Sequence, residues 1–126
     1  MRRLALLLFM LAACNRRETA TQTQTPGAPP PPAGNAAHGK QLVAQYGCNV
    51  CHVIPDVAGP QGSLGPPLAG VAARPSISHG RVPNNPANLA RFIENPAALN
   101  PGSSMPPLGI STADAQDIAA YLLTLK

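Results

Sequence analysis

Read for apolar periodicity alone, the chain falls into a short apolar run, a patternless stretch, and three amphipathic segments separated by Pro/Gly-rich sequence. Leu4 to Leu11 is uninterruptedly apolar. From Asn15 to about Asn35 the composition is Thr/Gln-rich, then Pro/Gly/Ala-rich, with Pro29 to Pro32 unbroken. Such a stretch has no apolar face to bury and reads as a linker. At Ala36 the pattern changes. Leu42, Val43 and Tyr46 stand at helical spacing, predicting a first helix that Gly47 closes. Asn85 followed by Pro86 predicts an N-cap and first residue, with Leu89, Phe92 and Ile93 on one face and Pro96 as the stop. Ser111 with Asp114 resembles a capping box and opens a last helix of about Thr112 to Leu125, facing inward through Ile118, Tyr121, Leu122 and Leu125. Residues 53–84 are broken by so many prolines and glycines that loops and turns are expected rather than strands, with a short helical turn around Leu68 to Ala73. A further loop, Asn100 to Pro107, carries Met105. No internal repeat is visible.

Composition sharpens this all-α picture. Of 126 residues only Phe9, Tyr46, Phe92 and Tyr121 are aromatic, and there is no Trp. A single domain this poor in large side chains struggles to build a core unaided. The formal charge of +4 overstates how basic the folded part is. From Ala36 onward Lys40, Arg74, Arg81, Arg91 and Lys126 face Asp56, Glu94, Asp114 and Asp117, a net of about +1. Nothing there argues for nucleic acid.

The chemistry sits at Cys48-Asn49-Val50-Cys51-His52. C-x-x-C-H is the attachment signature of c-type haem. Each thiol adds across one vinyl group, the spacing sets both sulfurs over one porphyrin edge, and His52 falls under the iron as proximal ligand. A C-x-x-C can also be a redox dithiol or half of a zinc site. The first wants a βαβ pattern that this chain lacks. The second wants a fourth ligand, for which only His38 and His79 remain, neither at finger spacing. A covalently held porphyrin, flat and apolar, also supplies the core that the side chains do not. Met105 is the one methionine downstream of the N-terminal segment and is the candidate for the sixth ligand.

Arg2, Arg3 and the following apolar run read as a secretory signal over residues 1–13, too short to span a bilayer, which needs about 20 residues. Leu11-Ala12-Ala13-Cys14 resembles the lipobox of bacterial lipoproteins, in which the cysteine is acylated and becomes the new N-terminus. That resemblance implies lipidation at Cys14 and a location on the periplasmic side of a bacterial membrane, where c-type haem is attached. Residues 14–35 are then a lipidated, proline-rich spacer of roughly 65 Å when stretched.

Residues 36–126 resemble the class I cytochromes c: three helices, one C-x-x-C-H and a late methionine in a Pro-flanked loop. The resemblance implies three main helices and Pro/Gly-rich loops wrapped around one covalent haem c with its iron. Gly65-Pro66-Pro67-Leu68 resembles the family's Gly-Pro-x-Leu stretch, which makes the Pro66 carbonyl the acceptor for His52 Nδ1. Met105 maps onto the sixth ligand. Gly39 and Tyr121 match a glycine–aromatic contact between the first and last helices. Val82 to Ile93 is similar to the cytochrome c domains fused to subunit II of haem–copper oxidases, though no copper-binding domain accompanies it. With no Trp for a propionate, Ser103, Arg91 and Arg81 are the candidates to bond it, and Phe92 stands where many relatives carry Tyr.

A haem held by His52 and Met105 has no open position for substrate. The expected role is therefore that of an electron carrier, not an enzyme in its own right. It would be monomeric and tethered, and would pass single electrons from a quinol-oxidising complex toward a terminal oxidase. Two alternatives stay open: a haem relay subunit of a periplasmic dehydrogenase or reductase, and a gas-binding sensor with a labile Met105.

Overall fold

The computed structural model describes residues 34–126; the apolar run, Cys14 and the proline run lie outside the described residues. Helix α1 spans Ala36–Gln45, and the Asn35 side chain accepts from the His38 N–H at 3.1 Å to cap it. A single turn, α2, follows at Cys48–Cys51. The chain then runs through irregular loop to a 3-10 turn at Val71–Ala73. Helix α3 is Pro86–Glu94, with Asn85 accepting from Asn88 and Pro86 in the first turn, where its missing N–H costs nothing. Asn95 and Pro96 repeat the device at once to start α4, Pro96–Leu99. Helix α5 covers Thr112–Leu122, capped by Ser111 through the Asp114 N–H. No described helix is long and apolar enough to cross a membrane.

Two sequence expectations are corrected. Residues 53–84 do contain strands: β1, Ser76–Ile77, pairs antiparallel with β2, Val82–Pro83, setting Ser76 against Pro83 and Ile77 against Val82. Two residues per strand are too few to show alternation, and Pro83 is tolerated because the pair is all edge. Helix α5 also stops three residues early. The Thr124 hydroxyl bonds the Tyr121 carbonyl at 2.6 Å, and the Leu125 carbonyl instead accepts the Ala72 N–H at 3.1 Å. A side chain competing for helix carbonyls ends the helix, and the freed C-terminus is tied to the 3-10 turn.

The frame is the crossing of α1 and α5. A Cβ on Gly39 would land on the Asp117 carbonyl, so only glycine permits this approach. Its nearest neighbours are thus the backbone of Asp117 and Ile118. The Tyr121 hydroxyl donates to the Pro55 carbonyl at 3.0 Å, binding α5 to the loop after α2. Gly34 and Asn35 already touch α5: the Asn35 N–H donates to Asp117 Oδ1 at 2.6 Å. Asp117 Oδ2 pairs with His38 Nδ1 at 2.7 Å, and that hydrogen bond, with the Asn35 N–H, holds the carboxyl below its usual range. Ser111 and Asp114 form half of a capping box. Asp114 turns instead to accept the Tyr46 hydroxyl at 2.7 Å, which pushes that phenol up.

Buried among these helices are Leu42, Val43, Leu89, Ile93, Ala115, Ile118, Ala119 and Leu122. Apart from Tyr121 the core is made of small and medium aliphatic side chains, and it lies against a large cleft.

Candidate haem site

The cleft holds about 1120 Å³, just above the usual range of ligand pockets (about 300–1,000 Å³). Its apolar wall comes from all three main helices, through Val43, Leu89, Phe92, Ile93, Ile118 and Leu122. The cleft's apolar lining suits a flat apolar body, and Phe92 is the one aromatic side chain on it.

The loops bring the chemistry to that wall. Tight turns at Gly47 and the single turn of α2 set Cys48, Cys51 and His52 in the cleft lining. Both cysteines are free, and burial pushes the Cys48 thiol up. Among the described residues no cluster of three or more His, Cys, Asp or Glu could hold a bare metal ion. After α2 the segment 61–68 runs back beside it. The Gly62, Gly65 and Leu68 N–H groups donate to the Asn49, Cys51 and Val53 carbonyls at 2.8–2.9 Å.

That return positions His52. Its Nδ1 lies 2.8 Å from the Pro66 carbonyl, which can only accept, so Nδ1 carries the proton and Nε2 keeps a lone pair. A Cβ on Gly65 would sit within the imidazole itself. Glycine there lets the backbone lie flat against the ring and clamps its orientation.

Pro66, Ser103 and Met105 line the same cleft. The Ser103 hydroxyl accepts the Met105 N–H at 3.2 Å, shaping the loop that carries the thioether. Asn100, buried, organises this loop from behind. Its Oδ1 accepts from the Gly102 N–H, and its Nδ2 donates to Ser78 Oγ at 2.8 Å. Ser78 and His79 stand in the left-handed region at φ 53° and 57°, a strained turn between β1 and β2 that this bond holds.

Sequence reasoning missed Arg74. It lines the cleft with its guanidinium on the Pro67 and Ala69 carbonyls, whereas neither Arg81 nor Arg91 is part of the lining. Ser76, Ser78 and His79 also line the cleft, His79 being exposed on the turn between β1 and β2 at the site's border. The available signal was isolation: Arg74 is the one cation between Lys40 and Arg81, after a charge-free run from Val57 to Ala73. Asn84 was missed too. Its amide donates to the Val71 and Arg74 carbonyls at 2.8 and 2.9 Å and fixes the segment that presents Arg74.

This set fits a covalent haem. Two free thiols, an imidazole with a fixed tautomer, a thioether, an apolar wall and a cation beside two hydroxyls match the vinyls, iron, porphyrin and carboxylates.

The Cytochrome c family model matches residues 36–126. The chain is 33% identical to cytochrome c-552 of Bradyrhizobium diazoefficiens over 94 residues, covering 75% of this chain and 78% of the relative. It is 32% identical to cytochrome c oxidase subunit 2 of Alkalihalophilus pseudofirmus over 92 residues, 72% of this chain but only 26% of that much longer protein. Among solved structures, a chain of SoxXA from P. pantotrophus superposes with a TM-score of 0.57 at 26% identity, over 79% of this chain and 85% of the other.

Proposed function

The chain belongs to the cytochrome c family, a class I monohaem protein that carries electrons on covalently attached haem c, and from that premise we propose how this chain does so. His52 and Met105 would hold the iron, and Cys48 and Cys51 would carry the two thioether links. One observation carries this: His52, with Nδ1 committed to Pro66, and Met105, with its N–H committed to Ser103, face one cleft between the helices. Each donor is held by a hydrogen bond that leaves its ligating atom free.

The cofactor supplies a one-electron Fe(III)/Fe(II) couple. The residues do the rest. The His52–Pro66 bond strengthens the imidazole as a donor. The Met105 thioether favours Fe(II) and raises the potential relative to two histidines. Val43, Leu89, Ile93 and Ile118 keep water from the interior face, so little solvent reorganises when charge changes. Arg74, Ser76 and Ser78, all in the cleft lining, would meet the carboxylates. With both residues bound to the iron, the site would keep no place for a substrate and would pass electrons without binding one.

The carrier works tethered. Cys14 bears the lipid and residues 14–35 the spacer, which confines the domain to the membrane surface and raises its effective concentration for redox complexes there. A haem–copper terminal oxidase is the proposed acceptor, supported by the likeness to an oxidase subunit. Mixing the reduced holoprotein with isolated oxidase tests it. Oxidation within milliseconds is expected, and oxidation slower than enzyme turnover would refute it. The likeness to a SoxXA chain favours one second reading, permanent docking as a relay subunit, for which co-purification at fixed stoichiometry is the mark.

A further inference from the structure

The rim of the cleft carries large apolar side chains where a soluble protein ordinarily places charges. Leu64 lines the cleft yet is 86% exposed, and Leu108 lines it at 38%. Residues that both line a cleft and meet solvent mark its rim. Val50, between the two cysteines, is 57% exposed, and Val53, just past His52, is 39% exposed. Val50 and Val53 lie outside the cleft lining and join this rim through the backbone beside Leu64, while Leu108 shares the lining with Leu64. The ladder from 61–68 to 49–53 lays the Leu64 segment directly beside Val50 and Val53.

The surroundings carry no charge. Residues 41–55, 57–73 and 95–113 hold no Asp, Glu, Lys or Arg. The single interruption, Asp56, lies outside the cleft lining and acts on Tyr121 of α5. Among the described residues the other charges sit on α1, α3, α5, the hairpin and the C-terminus. Arg74 is the one fixed charge of the cleft lining, and its guanidinium is tied to two carbonyls beside the serines.

From this we infer that the apolar rim of Val50, Val53, Leu64 and Leu108 is the docking surface, and that it fits a redox protein whose own docking face is apolar and uncharged. The inference rests on the carrier reading, since it assigns the electron's exit to the edge fixed by Cys48 and Cys51. The argument is one of complementarity. A charged partner face brought against this rim loses its hydration and finds no counter-charge. An uncharged apolar face loses nothing polar and gains burial of Leu64, at a scale that suits the small interfaces of redox encounters. The encounter is then steered little by long-range charge, and its rate is insensitive to screening.

A second copy of the chain presents such a face by construction, so electron self-exchange of the full-chain holoprotein is the probe. Mixed ferric and ferrous protein is followed by NMR line broadening. The expected rate changes less than about two-fold between roughly 10 and 500 mM salt. Leu64→Lys slows it about ten-fold at low salt, with recovery as salt rises, because two like charges then meet at the contact. Lys40→Gln, on exposed α1, changes neither rate nor slope. A wild-type rate that varies ten-fold with salt, a Leu64→Lys rate equal to wild type, or a stable dimer by ultracentrifugation would each overturn the inference. Holoprotein that does not cycle reversibly between ferric and ferrous would instead overturn the carrier reading, so the two failures are distinguishable.

Discussion

Replacing Gly39 by alanine sets two opposed effects against each other. In an open helix the change stabilises by about 1 kcal/mol, because glycine loses more backbone entropy. Here the added methyl would occupy the place of the Asp117 carbonyl, with backbone on both sides and no flexible side chain to yield. Helices α1 and α5 must part by about an ångström, and a gap of that size forfeits a quarter to a half of the dispersion across it. The residues that pay for the gap are Val43, Ala115 and Ile118, all essentially fully buried. Overpacking of this kind costs about 1–3 kcal/mol, toward the upper end where backbone is involved. Net of the propensity gain, Gly39→Ala should destabilise by about 2 kcal/mol, lowering Tm by roughly 8–15 °C for a domain of this size. Urea unfolding of the ferric holoprotein reads it as a lower midpoint at unchanged slope. Ala37→Gly, on the exposed face of the same helix, is the control and should cost about 1 kcal/mol. Gly39→Ala with stability raised by about 1 kcal/mol would refute the close crossing.

Three further outcomes follow from particular contacts. Gly65→Val forces the His52 ring off the Pro66 carbonyl, so the midpoint potential should shift and the Soret band move; unchanged potential and spectrum would contradict the clamp. Tyr121→Phe removes the buried hydroxyl bond to Pro55 and should cost about 1 kcal/mol in urea unfolding, with no change in potential; a neutral effect would show the bond to be idle. Asp117 has its carboxyl held low by His38 and the Asn35 N–H, so its contribution is present above the unfolded value near 3.8 and is lost as pH falls through the lower folded value. Asp117→Asn should therefore flatten the acid limb of the stability curve below about pH 4, and an identical acid limb would contradict the assignment.

The attachment motif and His52 were readable as a local string whose chemistry depends on spacing. The caps at Asn85 and Ser111 were readable for the same reason. The Pro66 acceptor followed instead from the resemblance to the Gly-Pro-x-Leu stretch and is found 2.8 Å from His52 Nδ1, and Met105 is found in the same cleft lining. What the sequence did not disclose depends on contacts between distant segments. Asn84 and Asn100 look like ordinary loop asparagines, yet each bonds a remote loop and sets the cleft border. Arg74 reaches the cleft through the turn that Asn84 holds, while Arg81 and Arg91, equally eligible by composition, lie outside it. The hairpin escaped notice because its strands are shorter than the period that would betray them. The family resemblance placed Gly39 at the crossing of the first and last helices, but the atoms a Cβ there would meet are the backbone of Asp117 and Ile118, which no side-chain pattern announces.

The central claim is that His52 and Met105 both bind the iron. Optical spectra of the periplasmically matured holoprotein, oxidised and reduced, with and without CO, test it directly, with Met105→Ala beside it. The account predicts a low-spin spectrum with the weak red methionine–Fe(III) band, indifferent to CO in the native chain and CO-responsive in Met105→Ala. A native chain that is high-spin or binds CO readily would contradict it, and would open the sixth position to ligands.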